Sequence, residues 1–459
     1  MSEKRIDVRI PKKVGNKLKR EIYKHGHHEY VVFALCSHAV TADGVLIFVK
    51  EIVTLQENQY VDSELHGAMW RGSSTIDIIN LAIEKKLGIF LFHSHMHKGQ
   101  VGLSGDDLQS ANQLLPCYQN LIPERPHGSI VLGYESMAGV VLMPYEDNFK
   151  EVTSVRWIDK VLVDWNKNYL LWKKKPVNLI YENQALLIGG KAQEKLWESK
   201  VAVIGLSGGG SHVVQQLAHL GIGEIIGIDD DLGEKGNQHR LIGITDRDVN
   251  LKRRKTDIMK KLVKKINKKI KFTSVFHRIP EQEAIEQLKR ADIVVGCVDS
   301  LMARADIHEL CQRYLIPYID IGLLIRPTDD EFRSSVIGGN VFITIPGSIC
   351  MYCNGFLSEE RLSNETNGKP RSYFEGTDKQ AQVVSFNGIL ASAAVNEVLQ
   401  MITGFAPIDE DVYTIKKFDG LKNTLSEWIL NPNPKCSSCL NDVANGDAVW
   451  NTVNFKYSS

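Results

Sequence analysis

The sequence predicts an α/β protein built from two units, and three observations predict it. Its 459 residues exceed what a single core of about 150 residues uses. Residues 1–150 alternate short apolar runs with turn signals. From Trp197 onward, short buried-strand patterns alternate with helical ones, the signature of a parallel sheet. An apolar content of 43% with 24% charge is that of a folded globular chain and excludes disorder. Lys and Arg total 55, as do Asp and Glu, so no net field draws the chain to nucleic acid or to an acidic membrane, and neither partner is expected. The N-terminal MSEKRIDVRIPKKVG carries no apolar core of a leader, and no uncharged apolar stretch reaches spanning length, so a cytoplasmic protein is expected.

In the first unit, Tyr30–Leu35, Val45–Val49, Gly88–Phe92 and Ser129–Leu132 read as strands, and Ser74–Lys86 has helix-compatible apolar spacing. Residues 151–178 are rich in Lys and Trp and read as a connector with helical character. The second unit, 179–459, opens with the strand Val201–Gly205, a glycine cluster and the helix Ser211–Leu220. The strand Glu224–Asp229, a helix near 254–270, the strand Asp292–Cys297, a helix over 300–314 and the strand Pro317–Ile321 follow. The lysine-rich run 252–271 has apolar residues at helical spacing, so it reads as the solvated face of an amphipathic helix rather than a nucleic-acid patch.

Three constellations carry chemistry. After the run ending at Phe92 comes HSHMHKGQVGLSGDDL. His93 and His95 are two apart, which on an extended segment puts them on one side. Two imidazoles and a carboxylate hold Zn²⁺ with one position open for water. Ser104 and Asp107 lie three apart at a helix start, with Ser104 as N-cap. Zinc-bound water needs a general base, for which Glu29 is the candidate. These residues resemble the JAMM (MPN/JAB) metalloproteases, which cleave isopeptide bonds to ubiquitin and ubiquitin-like proteins. The resemblance covers roughly residues 1–150 and implies a JAMM/MPN-like α/β domain. It also implies catalytic zinc on His93, His95 and Asp107, water activation by Glu29, and oxyanion stabilisation by Ser104. The interval Met96–Leu103 is one residue longer than usual in that family, so Asp106 stays as an alternative ligand to Asp107, and His97 as a further one.

The second constellation is VAVIGLSGGGSH: strand, glycine loop, helix start. Glycines let backbone N–H groups approach phosphate, and the helix N-terminus favours the anion. Asp229 ends the next strand, where such units place an acid on ribose hydroxyls. Asn237, Arg240 and Lys255 follow, and Asp299 ends a later strand at the edge where ligands bind. An Arg and a Lys converging on phosphates, with an Asp able to hold Mg²⁺, equip the site for triphosphate chemistry, which a nicotinamide dehydrogenase does not need.

This run, with LAHLGIGEIIGIDDD, NQHR, VDSLMAR and VVSFNGILASAAVNEVLQMITG, resembles the ThiF-type adenylyltransferases, which include the ubiquitin-activating enzymes. The resemblance implies a Rossmann-like domain with a mostly parallel sheet. It implies adenylation, with ATP and Mg²⁺, of the C-terminal glycine of a ubiquitin-like or sulfur-carrier protein, and a homodimer. Gly205, Gly208 and Gly210 would form the nucleotide loop and Asp229 would take the ribose. Asn237, Arg240 and Lys255 would contact phosphates, and Asp299 would serve Mg²⁺. Asp231 and Arg304 match family positions as well, with a structural role open for Arg304. Ser207 stands where the family has glycine, and Asn183-Gln184 stands where it has Arg-Gln, so the arginine that reaches the partner's triphosphate is missing.

The third constellation is Cys350-x-x-Cys353 with Cys436-x-x-Cys439, the ligand set of a closed Cys₄ zinc site. ThiF-type proteins carry a structural zinc at these positions. A redox dithiol is disfavoured because both pairs fall in loop-like sequence. Residues 354–382 hold no cysteine, so no thioester is expected there. Together the resemblances imply a fused enzyme that activates a ubiquitin-like tail and trims or releases it; such fusions look bacterial. Adenylation of a peptide or small carboxylate, or a scaffold that binds without activating, are the alternatives.

Overall fold

The computed structural model describes residues 4–23, 30–61, 70–95, 99–166, 179–327, 334–353, 355–367, 381–409 and 412–447. It contains two mixed sheets. The first comprises β1 (Arg5–Pro11), β2 (Val32–Thr41), β3 (Gly44–Thr54), β4 (Gly88–Ser94), β5 (His127–Leu132), β6 (Met137–Leu142), β7 (Phe149–Glu151), β8 (Ser154–Ile158) and β9 (Val163–Asn166), in the order β7-β6-β5-β4-β2-β3-β1-β8-β9. The helix Lys12–Ile22 packs on one face, where Leu18 and Ile22 join Val8, Ile47 and Phe90. The helices Ile76–Lys85 and Gly105–Leu121 bury Ile78, Ala82, Ala111 and Leu115 on the other, against Phe33, Leu35 and Ile89.

The helical character expected of the connector is corrected. Residues 154–166 form β8 and β9, which extend the first sheet beyond β1. Lys19 explains the Trp-rich pattern: its ammonium sits 3.6 Å from the Trp157 ring centroid and 5.3 Å from that of Trp165, and the two rings are stacked.

The second sheet comprises β10 (Lys200–Ile204), β11 (Glu224–Ile228), β12 (Lys271–Val275), β13 (Ile293–Gly296), β14 (Tyr318–Pro327), β15 (Ser334–Thr344), β16 (Tyr413–Asp419) and β17 (Thr424–Leu430). Its order is β12-β11-β10-β13-β14-β15-β16-β17. The strands through β14 pair in parallel, and the rest add an antiparallel extension. Register aligns Ile204 with Ile228 and with Gly296, so Gly205, Asp229 and the segment leading to Asp299 leave the sheet at one edge. That edge, with the strand order reversing on either side of β10, is where α/β sheets bind ligands.

The two sheets share a core. Ala39, Leu46, Phe48, Ile158 and Leu162 belong to the apolar cluster of the second sheet, and Phe48 packs at 6.1 Å against Tyr314. Polar contacts line the seam. Asp43, in the β2–β3 turn, meets Lys200 Nζ at 2.6 Å and Arg290 Nε at 2.7 Å. Arg9, 4% exposed, donates to the carbonyls of Tyr314 and Ala291. No helix among the described residues is long and apolar enough to cross a membrane.

Candidate functional site

At the carboxyl edge of the second sheet, the chain turns from β10 into the helix Gly208–Leu220 through Gly205, whose φ of +83° favours glycine. The glycines divide by role. A Cβ on Gly210 would stand 1.8 Å from the Gly205 carbonyl oxygen, and one on Gly205 2.7 Å from that of Cys297, so these two permit the tight turn itself. Gly208 faces Asn387 of the helix Val384–Thr403, whose amide nitrogen would lie 2.6 Å from an added Cβ. Gly209, not singled out by the sequence, has nothing nearer than the Cys297 side chain at 3.8 Å and is the least obstructed of the cluster. Asn387, buried and bonded to Gln382, is a second residue the sequence reading missed. Its signal was a polar residue within the apolar run VVSFNGILASA.

Asp229 is buried and takes up the loop's backbone: Oδ2 accepts from Leu206 N at 2.6 Å and Oδ1 from Asp231 N at 2.9 Å. Burial pushes its carboxyl up from the ordinary value, opposed by Lys255 and those N–H groups. Lys255, 5% exposed, lies with Nζ 2.5 Å from Asp231 and 3.6 Å from Asp229. These three groups are therefore brought together. Asn237 is buried, its Oδ1 accepting from Glu234 N at 3.1 Å. Arg240 donates to the Gly236 carbonyl at 3.2 Å. Asp299 is exposed just beyond β13 and has no side-chain partner among the described residues, which suits a carboxylate awaiting a hydrated cation. Arg304 is placed elsewhere: 3% exposed, it pairs with the buried Asp320 at 3.0 Å and donates to the Ile321 carbonyl. Asn183 is exposed in the helix Glu182–Ile188, while Gln184 bonds Gln193 and the Leu220 carbonyl.

In the first sheet, His93 is the penultimate residue of β4, His95 follows the strand, and Asp107 lies in the first turn of the helix that Ser104 caps. A capping box selects Asp107 over Asp106: Asp107 Oδ2 accepts from Ser104 N at 2.7 Å, and Asp107 N donates to Ser104 Oγ at 3.1 Å. His93 Nε2 is 3.0 Å from Asp107 Oδ1, and His95 Nε2 is 3.6 Å from Oδ2. Ligand atoms about 2.1 Å from one tetrahedral zinc lie roughly 3.4 Å apart. His93 Nε2 is buried with no aligned hydrogen-bond partner, as expected for an atom aimed at a shared centre. Burial alone would raise the Asp107 carboxyl; His93 and the Ser104 contacts outweigh it and hold it below the usual range. Glu29 and His97 lie outside the described residues.

The four cysteine sulfurs converge, with separations of 3.5 Å (Cys350–Cys353), 3.4 Å (Cys350–Cys436) and 3.6 Å (Cys353–Cys439). Zn–S bonds of about 2.3 Å give tetrahedral edges of roughly 3.8 Å, whereas a disulfide needs about 2.05 Å, so the set fits a metal. The loop placement expected of both pairs holds for Cys350 and Cys353, which lie in a turn, and is corrected for the second pair, because Cys436 caps the short helix Ser437–Asn441 that contains Cys439. The four-sulfur cluster, not loop placement, is what argues against a redox dithiol.

A strand–glycine turn–helix with a buried acid on the next strand and a lysine against it defines a nucleotide-binding α/β unit. Comparison with known proteins agrees: residues 181–438 match the ThiF family, and the chain belongs to it. Among its relatives, the sulfur carrier protein ThiS adenylyltransferase of Escherichia coli (strain K12) is 31% identical over 141 residues, covering 30% of this chain and 55% of that protein. The SAMP-activating enzyme E1 of Haloferax volcanii is 29% identical over 29% of this chain and 48% of its own length. The ubiquitin-like modifier-activating enzyme 5 of Dictyostelium discoideum is 25% identical over 53% and 62%. The chain thus spans about half the length of the curated relatives it matches. Among solved structures, E. coli MccB with ATP is 23% identical, with a TM-score of 0.46, over 57% of this chain and 74% of that one.

Proposed function

We propose that the chain is an ATP-dependent adenylyltransferase acting on the C-terminal glycine of a ubiquitin-like or sulfur-carrier protein. The observation that carries this is the convergence of the Gly205 turn, Asp229, Lys255 and the open Asp299 at one sheet edge. Relatives whose names specify sulfur-carrier or ubiquitin-like activation support the substrate class. In the reaction, a carboxylate oxygen attacks the α-phosphorus. An acyl–O–P bond forms, the bond to the bridging oxygen breaks, and pyrophosphate leaves with the electron pair. Lys255 and Arg240 offset the charge that builds on the phosphates, and Asn237 orients them. The Gly208–Leu220 N-terminus supplies N–H donors, with Gly209 leaving room for approach. Asp229 fixes the loop through Leu206 N and receives the ribose hydroxyls. Asp299 would hold Mg²⁺, which supplies further charge neutralisation when bound.

The first unit is read as a JAMM-type zinc hydrolase that trims the same tail or releases it from targets. His93, His95 and Asp107 would hold zinc, which lowers the pKa of a bound water. Glu29 would take that water's proton, and Ser104 would face the oxyanion. The Cys₄ set would hold a structural zinc. Homodimerisation is supported by the exposed Leu179, Ile180, Leu186 and Leu187 around Asn183.

ATP–pyrophosphate exchange tests the activating half. Exchange that depends on a glycine-ended ubiquitin-fold protein is expected. Exchange with short peptides alone would move the substrate class, and no nucleotide binding by calorimetry would leave only a scaffold. For the hydrolase, Glu29→Gln should retain zinc and abolish cleavage; cleavage at the parent rate refutes that assignment.

A further inference from the structure

Asp299 stands immediately before the helix Leu301–Arg313, and the first turn of that helix is not capped by its own segment alone. Ser300 Oγ accepts from Ala303 N at 3.3 Å. The two donors nearest Asp299 go to a carboxylate far along the chain: Leu301 N to Glu365 Oε1 at 3.1 Å and Met302 N to Glu365 Oε2 at 2.8 Å. Ser300 Oγ also donates to Glu365 Oε2 at 3.3 Å. Glu365 lies in the last turn of the helix Glu359–Thr366, which follows the first cysteine pair. An acid bound to two backbone N–H groups at a helix N-terminus is a charge-assisted contact strengthened by the helix dipole.

We propose that Glu365 is a positioning residue for metal binding at Asp299, an inference that rests on the adenylation reading. By taking up Leu301 N and Met302 N, Glu365 fixes the backbone from 299 to 302 and so the direction in which the Asp299 carboxylate leaves the sheet. Its negative charge, held at the N-terminus of the helix that follows Asp299, also adds to the local potential for a divalent cation. Without Glu365 the helix keeps its Ser300 cap, so the fold survives while the segment carrying Asp299 loosens. Nothing in local sequence spacing marks Glu365, because its partners lie more than 60 residues away.

The test uses the full chain with Mn²⁺ as the probe, read by electron paramagnetic resonance in the presence of a non-hydrolysable ATP analogue, alongside amide hydrogen exchange. In Glu365→Ala, exchange at Leu301 and Met302 should quicken at least tenfold, and the Mn²⁺ concentration for half-saturation should rise about tenfold. Glu365→Gln, which keeps one acceptor oxygen, should fall between. Asn367→Ala removes the exposed amide that donates to Ser363 Oγ at the end of the same helix and should leave Mn²⁺ binding at the parent value. Unchanged half-saturation in Glu365→Ala, or an equal shift in Asn367→Ala, overturns the proposal while leaving adenylation standing. A parent protein with no nucleotide-dependent Mn²⁺ binding overturns the adenylation reading and this inference with it.

Discussion

Breaking the cysteine cluster should release the C-terminal segment from the seam between the two sheets. Residues 444–447 follow shortly after Cys439 and bond to both sides. Toward the first sheet, Ser37 Oγ donates to the Ala444 carbonyl, Val40 N to Asp447 Oδ2, and Asp447 N to the His38 carbonyl. Toward the second, Tyr314 OH donates to Asp447 Oδ1 and Arg313 Nη1 to the Gly446 carbonyl, while Ala444 N and Gly446 N donate to the Gln312 and Arg313 carbonyls. At about 1 kcal/mol net each, these bonds contribute on the order of 7 kcal/mol. Ordering four residues costs roughly 4–8 kcal/mol. The two nearly cancel, and the contacts of Lys50 with Asn445 and of Lys289 with Asp447 add modestly, so docking depends heavily on the held upstream end; a structural zinc contributes about 10–16 kcal/mol in small peptides. Cys436→Ser, or chelation of the intact protein, should therefore undock 444–447 while both sheets persist. Hydrogen exchange read by mass spectrometry, with metal content by elemental analysis, checks this: peptides covering Val40 and residues 444–447, whose amides supply the bonds, should lose protection as metal is lost. Retained protection in metal-free protein would refute the reasoning.

Three further outcomes follow from buried groups. Arg304→Ala leaves Asp320, 2% exposed, without its cation and with only the Tyr318 hydroxyl as side-chain partner, and should cost about 3–5 kcal/mol in urea unfolding while leaving ATP affinity unchanged, whereas the double variant Arg304→Met/Asp320→Leu orphans that hydroxyl and should recover only part of the loss; weakened nucleotide binding in the double variant would return Arg304 to the site. Gly210→Ala collides with the Gly205 carbonyl at 1.8 Å and should lose about 1–3 kcal/mol, whereas Gly209→Ala meets only ordinary contacts and should melt within about 1 °C of the parent; equal melting of both would contradict the division of roles. Burial, with Glu309 adding repulsion, pushes the Asp306 carboxyl up to about 7. The native state then binds a proton that the unfolded chain releases near pH 4, so stability falls as pH rises from about 4 to 7. The full shift would be worth about 4 kcal/mol, which partial exposure reduces to on the order of 2 kcal/mol. Asp306→Asn should flatten that fall in melting temperature between pH 5 and pH 8, and an identical slope in the variant would remove Asp306 as its cause.

What was legible in the sequence follows from how local each signal is. The strand, turn and helix over 200–220 could be read because glycine permissiveness and apolar spacing act within a few residues. Asp107 could be chosen over Asp106 because a helix N-cap meets the residue three positions on. The strands β8 and β9 could not: Trp157, Ile158, Val161, Leu162 and Trp165 repeat at helical intervals. Pairing with β1 and the Lys19 ammonium against both indoles override that local preference. The clamp at Asp447 and the cap at Glu365 join residues far apart in the chain, so no spacing rule reaches them.

The glycine cluster marks the limit most sharply. Its sequence declares a tight turn at a helix N-terminus but does not say which glycine serves the turn, which serves packing and which serves a ligand. That division depends on what approaches each Cα from elsewhere: the Gly205 carbonyl at Gly210, Asn387 at Gly208, and only the Cys297 side chain, at van der Waals distance, at Gly209. Ser207, which stands where the ThiF-type family has glycine, is the N-cap residue before Gly208, and its side chain makes no capping hydrogen bond to that helix. Its consequence for a nucleotide would come through its hydroxyl, which stands at the helix N-terminus as a donor beyond the backbone N–H groups.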